Sequence, residues 1–190
     1  MAAGEGTRLR PLTQHWPKPV LPIDGKPVVV TLVHDLAAAG CRRIVVVTGY
    51  LAEQVEALLE PLPYDLRFVR QPPGQGSADA VLRAQATPPY LVVAADNLFA
   101  EGDLARFARA GAGLDGATSF HGEERPPLWL VGERVHRFLD PLPGNAPYEL
   151  QDVFRNAVDA GAEVSAIQVG RTRDLTEPGD LVRQNFPYLQ

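Results

Sequence analysis

Two apolar runs without polar alternation constrain this chain most: Arg-Ile-Val-Val-Val-Thr at 43–48 and Tyr-Leu-Val-Val-Ala-Ala at 90–95. Such runs suit strands buried on both faces, and a sheet built from them needs helices above and below. Helical segments lie between and around them. Residues 28–39 read as a helix stopped by Gly40, and residues 51–59 as a second with Val55, Leu58 and Leu59 on one side. Residues 77–86 read as a third, with Ser77 as its cap. Shorter strands are expected at 66–70 and 163–169. Strands alternating with helices imply an α/β fold, here a single Rossmann-like three-layer α/β/α domain with a mostly parallel central sheet. The 190 residues suit one such domain with a real core.

Folds of this kind bind ligands beyond the carboxyl ends of their strands. That rule puts the loop at 71–76 and the turn at Asp96 on one rim, beside the amino-terminal run Met1-Ala-Ala-Gly-Glu-Gly-Thr-Arg8. Gly4 and Gly6 let backbone amides approach an anion closely. Arg8 adds a forked donor, and Lys18, between Pro17 and Pro19, adds a compact charge. Together they point to polyphosphate. The Walker pattern is not matched, because no Gly-Lys-Ser/Thr follows, and the dinucleotide pattern lacks its third glycine. The glycines alone also suit an ordinary turn. Against sixteen arginines the chain has only two lysines, Lys18 and Lys26, and both lie in this segment.

Asp96 ends an apolar strand, where a carboxylate can hold a divalent cation or cap the next turn. The amide of Gln71 offers a donor and an acceptor that suit the edge of a base, or simply a polar loop, and Gln75 could take the same role. Gly76 would let the backbone approach that base. His15, His34, His121 and His136 show no metal-ligand spacing, and no nucleophilic Ser or Cys motif is present.

The run Gly4-Glu-Gly-Thr-Arg-Leu-Arg-Pro-Leu-Thr13, followed by Pro17-Lys-Pro-Val-Leu-Pro-Ile-Asp-Gly-Lys-Pro27, resembles the signature of the sugar-1-phosphate nucleotidyltransferases. These are the pyrophosphorylases that make nucleoside-diphosphate sugars. The resemblance implies that Ala3, Gly4, Gly6 and Thr7 bind nucleotide, with Arg8 on the β- and γ-phosphates and Lys18 at the α-phosphate. It implies a base-reading loop at Gln71 to Gly76 and a magnesium ligand at Asp96. Asp174, in Gly170-Arg-Thr-Arg-Asp-Leu-Thr-Glu-Pro-Gly-Asp180, resembles the family's second Mg²⁺ ligand, although Thr176 replaces a glycine. Arg8, Lys18 and Asp96 would then be catalytic, with a nucleoside triphosphate and a phosphorylated small molecule as partners. Residues 1–110 would form the nucleotide-binding half and 111–190 a reduced acceptor-binding half.

Two departures stand out. The family places a central strand just before the glycine loop, yet only Met1 and two alanines precede Gly4. Either the true start lies upstream or the sheet lacks a middle strand; the first is favoured, since an empty slot exposes two strand edges. The acceptor region is also short. Residues 116–127 lead directly to Leu-Trp-Leu-Val at 128–131, and the family's acceptor-phosphate lysine has no counterpart unless Arg125 or Arg171 serves. Glu123 and Glu124 read as a solvated acidic loop. This leaves a degenerate nucleotide- or partner-binding module as an alternative, or a cytidylyltransferase acting on a phosphoalcohol such as phosphocholine.

A net charge of −5 and a pI near 5.4 argue against nucleic acid or a membrane surface as partner. No apolar run suits a membrane span, and the start does not read as a signal peptide. Cys41 is alone, so no intrachain disulfide is expected and a reducing cytoplasm fits. Self-association is left open.

Overall fold

A computed structural model describes residues 1–186; the last four residues of the expected domain lie outside the described ones. Three 3₁₀ turns, Thr7–Leu9, Leu12–Gln14 and Lys18–Val20, lead to a small hairpin of β1 (Pro22–Ile23) and β2 (Lys26–Pro27). Then follow α1 (Val28–Ala38), β3 (Arg43–Thr48), α2 (Ala52–Leu59), β4 (Asp65–Arg70), α3 (Ser77–Ala84) and β5 (Tyr90–Val93). The second half runs β6 (Asn97–Leu98), α4 (Asp103–Ala110), β7 (Gly116–Phe120), β8 (Leu128–Val131), α5 (Glu133–His136) and α6 (Leu150–Asp159). It closes with β9 (Val164–Gln168), β10 (Arg173–Asp174) and α7 (Pro178–Asn185).

β3 pairs in parallel with β4, and a separate ladder runs β5-β8-β7-β9. Within that ladder only β8 is antiparallel to its neighbours. Residues 1 and 2 join the two parts. Ala2 forms a parallel bridge to Thr48 and donates to the Val47 carbonyl at 2.7 Å. On the other side the Met1 ammonium donates to Val93 O at 2.8 Å, and Ala95 N donates back to Met1 O at 2.8 Å. Met1 and Ala2 therefore lie between the carboxyl ends of β3 and β5 and bond to both.

Helices cover both faces, as the doubly buried runs require. On one side α1 buries Val28, Val29, Leu32, Val33 and Leu36 in a cluster with Leu104 and Phe107 of α4 and Val55 and Leu59 of α2. A run of β-branched residues disfavours helix intrinsically. Burial at about 1.5–3 kcal/mol per side chain outweighs that preference. On the opposite face Ala78 and Val81 of α3 pack with Val135, Leu150, Val153 and Phe154 of α5 and α6.

Ser77 corrects one expectation. It opens α3 without capping it. Its hydroxyl instead accepts from Leu150 N at 2.8 Å, the first residue of α6, and donates to Glu149 at 2.7 Å. Gly76, at φ +87°, fits between these helices because a Cβ there would meet the Tyr148 backbone, with Tyr148 N at 2.5 Å. Gly4, by contrast, has nothing within 4 Å of a built Cβ.

One expectation follows. Gly76→Ala should lower the unfolding free energy by about 2 kcal/mol or more, from backbone clash and positive φ together, while Gly4→Ala should leave it within about 0.5 kcal/mol. Urea titration of the two variants checks it.

Candidate active site

The glycine loop is seated on the stem of Lys18. Gly6 adopts φ +61°, and a Cβ there would come within 3.1 Å of both Lys18 Cβ and Thr13 Cγ2. Its carbonyl accepts from Thr13 Oγ1 and Leu9 N, each at 2.9 Å. Pro17, before the 3₁₀ turn, and Pro19, within it, bracket Lys18 and restrict the backbone on either side. Gly49 lets the loop's first residues lie close, since a Cβ there would meet Ala3 O at 2.9 Å. Behind it, the buried Thr48 donates to Glu56 at 2.8 Å, and Arg70 clasps Glu56 and Glu53, holding the Glu56 carboxyl below its ordinary pKa.

From this loop the Lys18 ammonium reaches Asp96 at 2.5 Å and Asp174 at 4.0 Å. Asp96 arrives at the end of β5. Asp174 is brought there by β10, which pairs antiparallel with β6 so that Asp174 stands opposite Asn97. Asn97 donates to Asp96 Oδ1 at 3.0 Å, and Thr176 donates to Asp174 Oδ2 at 3.1 Å. The sequence-predicted pair of carboxylates thus shares one ammonium. Arg173 does not pair with Asp174; it makes a two-pronged bond to Asp24, at 2.6 and 2.8 Å, and ties β10 to the β1–β2 hairpin.

These groups line a cavity of about 1150 Å³ with Arg8, Arg125, Arg171 and Glu124 around its wall. Arg8 and Arg171 are exposed and have no hydrogen bond or ion pair among the described residues. Arg125 folds back instead onto the carbonyls of Gly122, Glu123 and Glu124, at 3.4, 3.1 and 2.9 Å. Of the two arginines considered for an acceptor phosphate, Arg171 is the one left uncommitted. Glu124 reaches the cavity wall and Glu123 does not.

The loop at 71–76, expected to read a base, does not line this cavity. Gln71 spends both amide hydrogens internally, on Gly76 O at 2.7 Å and Asp79 at 2.9 Å, so only its carbonyl oxygen remains to accept. The glycine at 76 is already demanded by Tyr148. Among the described residues Gln75 makes no side-chain hydrogen bond, although its backbone carbonyl accepts from Tyr148 N. Gly4 and Thr7 are exposed at the loop's outer edge. The histidines are engaged structurally: His34 with Tyr64, His136 with Tyr90, His121 with Val169 O, and His15 edge-on to Trp16.

Among the described residues no group of three or more His, Cys, Asp or Glu side chains could hold a metal by itself. Asp96 and Asp174 nonetheless fit the donor set for Mg²⁺, which is commonly held by one or two carboxylates together with substrate phosphates. Sequence reasoning did not single out Asn97, Thr176, Thr13 or Gly49. Of these, Asn97 was signalled by its place directly after Asp96.

No helix among the described residues is long and apolar enough to cross a membrane. Residues 1–161 match the family of MobA-like NTP transferase domains. A 2-aminoethylphosphonate cytidylyltransferase from Lancefieldella rimae is 49% identical over 63 residues, 33% of this chain and 26% of that one. The UTP–glucose-1-phosphate uridylyltransferase of Haloferax volcanii is 31% identical across 95% of this chain and 91% of its own. Two further relatives are spanned over 59% and 53% of their length. A solved structure of UDP-glucose pyrophosphorylase with UDP-glucose superposes with a TM-score of 0.80, over 99% of this chain and 96% of that one, at 19% identity, a likeness of fold. With a glycine loop, a lysine and two aspartates converging at the rim of a mostly parallel sheet, this chain belongs to the family of MobA-like NTP transferase domains.

Proposed function

We infer that the protein transfers a nucleotidyl group from a nucleoside triphosphate to a sugar 1-phosphate, yielding a nucleoside-diphosphate sugar and pyrophosphate. The observation that carries this reading is the convergence of Lys18, Asp96 and Asp174 beside an uncommitted Arg8 on one cavity. In the reaction a phosphate oxygen of the acceptor attacks the α-phosphorus in line, and the bond from α-phosphorus to the bridging oxygen breaks. The acceptor is already ionised near neutral pH, so no side chain needs to remove a proton. Arg8 and the amides of Gly4 to Thr7 hold the β- and γ-phosphates, where negative charge builds on the leaving group. Lys18 sits at the α-phosphate and fixes its orientation. Asp96 and Asp174 would hold Mg²⁺, which when bound neutralises phosphate charge. Gln75, or the free oxygen of Gln71, contacts the base. Arg171 receives the acceptor phosphate.

Residues 1–110 serve the nucleotide and 111–190 the acceptor, in a protein acting in the cytoplasm, where its substrates are held. A smaller acceptor is the second reading, favoured by the aminoethylphosphonate cytidylyltransferase among the relatives and by the short segment before β8. A phosphoalcohol or phosphonate would then replace the sugar phosphate.

Pyrophosphate release with Mg²⁺, across four triphosphates and a panel of sugar phosphates, phosphoalcohols and phosphonates, tests the proposal. One pair should turn over, and chelation should abolish it. Arg8→Ala and Asp96→Asn should each cost about 10²–10³ in kcat. Arg8→Ala should do so with an unchanged Tm, because its guanidinium makes no hydrogen bond or ion pair among the described residues. Binding of triphosphate without any product would instead identify a nucleotide-binding module.

A further inference from the structure

Asp96 and Asp174 reach Lys18 from supports of unequal firmness. Asp96 follows β5, which belongs to the four-stranded ladder, and Asn97 bonds its carboxylate. Asp174 rides on β10, a strand of two residues paired with the two residues of β6. So short a ribbon is marginal by itself. The Asp174 side chain is partly exposed and adds little, with Thr176 at 3.1 Å and Lys18 at 4.0 Å. Its place therefore depends on how the β10 backbone is held from outside.

Arg173 does that holding. Neighbouring side chains of a strand point opposite ways, so Asp174 faces Lys18 while Arg173 faces the β1–β2 hairpin. The guanidinium fork meets Asp24 at 2.6 and 2.8 Å, and Nε donates to Gln184 at 2.8 Å. The other end of the segment is pinned where Gly170 N donates to the buried Asp103 at 2.8 Å. Asp24 forms the hairpin turn at φ +52°, beside Gly25 at φ +72°. Asparagine or glycine would serve such a turn as well, and the carboxylate is what the fork requires. Asn185 grips the same hairpin, accepting from Gly25 N and donating to Pro22 O, each at 2.8 Å. The hairpin follows directly on the Lys18–Val20 turn. One remote fork thus connects the backbone that carries Lys18 to the backbone that carries Asp174.

We propose that Asp24 and Arg173 are positioning residues, whose fork sets the distance of the Asp174 carboxylate from Lys18 and Asp96 and thereby the affinity of the site for a divalent cation. The proposal rests on the reading of Asp174 as a Mg²⁺ ligand. Asp24 does not line the cavity, so it acts through Arg173. The pair contributes little to holding the fold together, since the two side chains are 40% and 62% exposed, Arg173 first. A two-pronged bond is nevertheless directional, and direction is what a two-residue strand lacks.

Mn²⁺ binding to the full chain without nucleotide, followed by the EPR signal of the free ion, tests the proposal. Asp24→Asn suits the same turn, and Arg173→Lys keeps the charge without the fork. Each should weaken Mn²⁺ binding roughly tenfold, with Tm changed by no more than about 3 °C. Weakening in Asp24→Asn alone would overturn the proposal, because it reports a lost charge rather than a lost direction. So would unchanged binding in both variants where Asp174→Asn binds poorly. Unchanged binding in Asp174→Asn itself would remove the reading of Asp174 as a cation ligand, and the proposal with it.

Discussion

Lys18 and Asp96 meet at 2.5 Å where three distant pieces of chain come together, and the site is organised around that contact. Lys18 brings with it the glycine loop, which rests on its stem. Asp96 brings the end of β5, and Asp174 is delivered by the β6–β10 pairing. The lysine side chain is only 12% exposed and the Asp96 side chain 26%, so each charge depends on the other for much of its solvation. Truncating one partner of such a pair leaves the other poorly compensated. The compact ammonium matters here, because as a single point charge it meets Asp96 at 2.5 Å and Asp174 at 4.0 Å, which a planar fork does not reproduce.

Around this contact the cavity differs in charge from the molecule as a whole. The chain carries a net charge of −5, yet Arg8, Lys18, Arg125, Arg171, Arg173 and Arg183 line it beside Asp96, Glu124, Asp174, Glu177 and Asp180. The surrounding acids are partly spent on structure. Asp24 and Asp180 are held below their ordinary pKa, the first by Arg173 and the second chiefly by the Glu177 amide, and both steady the segment that carries Asp174. The cavity is thus lined by six basic and five acidic side chains, a nearly balanced set, on a protein of net charge −5.

Much of the fold was legible because its strands are unambiguous. The run at 43–48 became β3 with those bounds, and the helix from Val28 ended one residue before its expected stop. Buried β-branched runs leave a sequence little alternative. Contacts between remote residues were not legible. Ser77 caps α6 across a separation of 73 residues, and Gly76 is glycine because Tyr148 lies against it. A local rule assigned both to their own loop. Lys18 and Asp96 were singled out from their own local sequence and Asp174 through motif resemblance, and no periodicity relates positions so far apart. The choice between Arg125 and Arg171 needed the coordinates, since a turn of only three residues, 122–124, consumes the first. Nor was it legible that Met1 and Ala2 would bridge the carboxyl ends of β3 and β5.

A double-mutant cycle between Lys18→Met and Asp96→Asn tests the central contact most directly, read in the affinity for nucleoside triphosphate and in unfolding free energy. Partners in one partly buried ion pair should couple by about 1–3 kcal/mol, with the double variant far less impaired than the summed single losses. Strictly additive losses in both readouts would contradict a site organised around this pair.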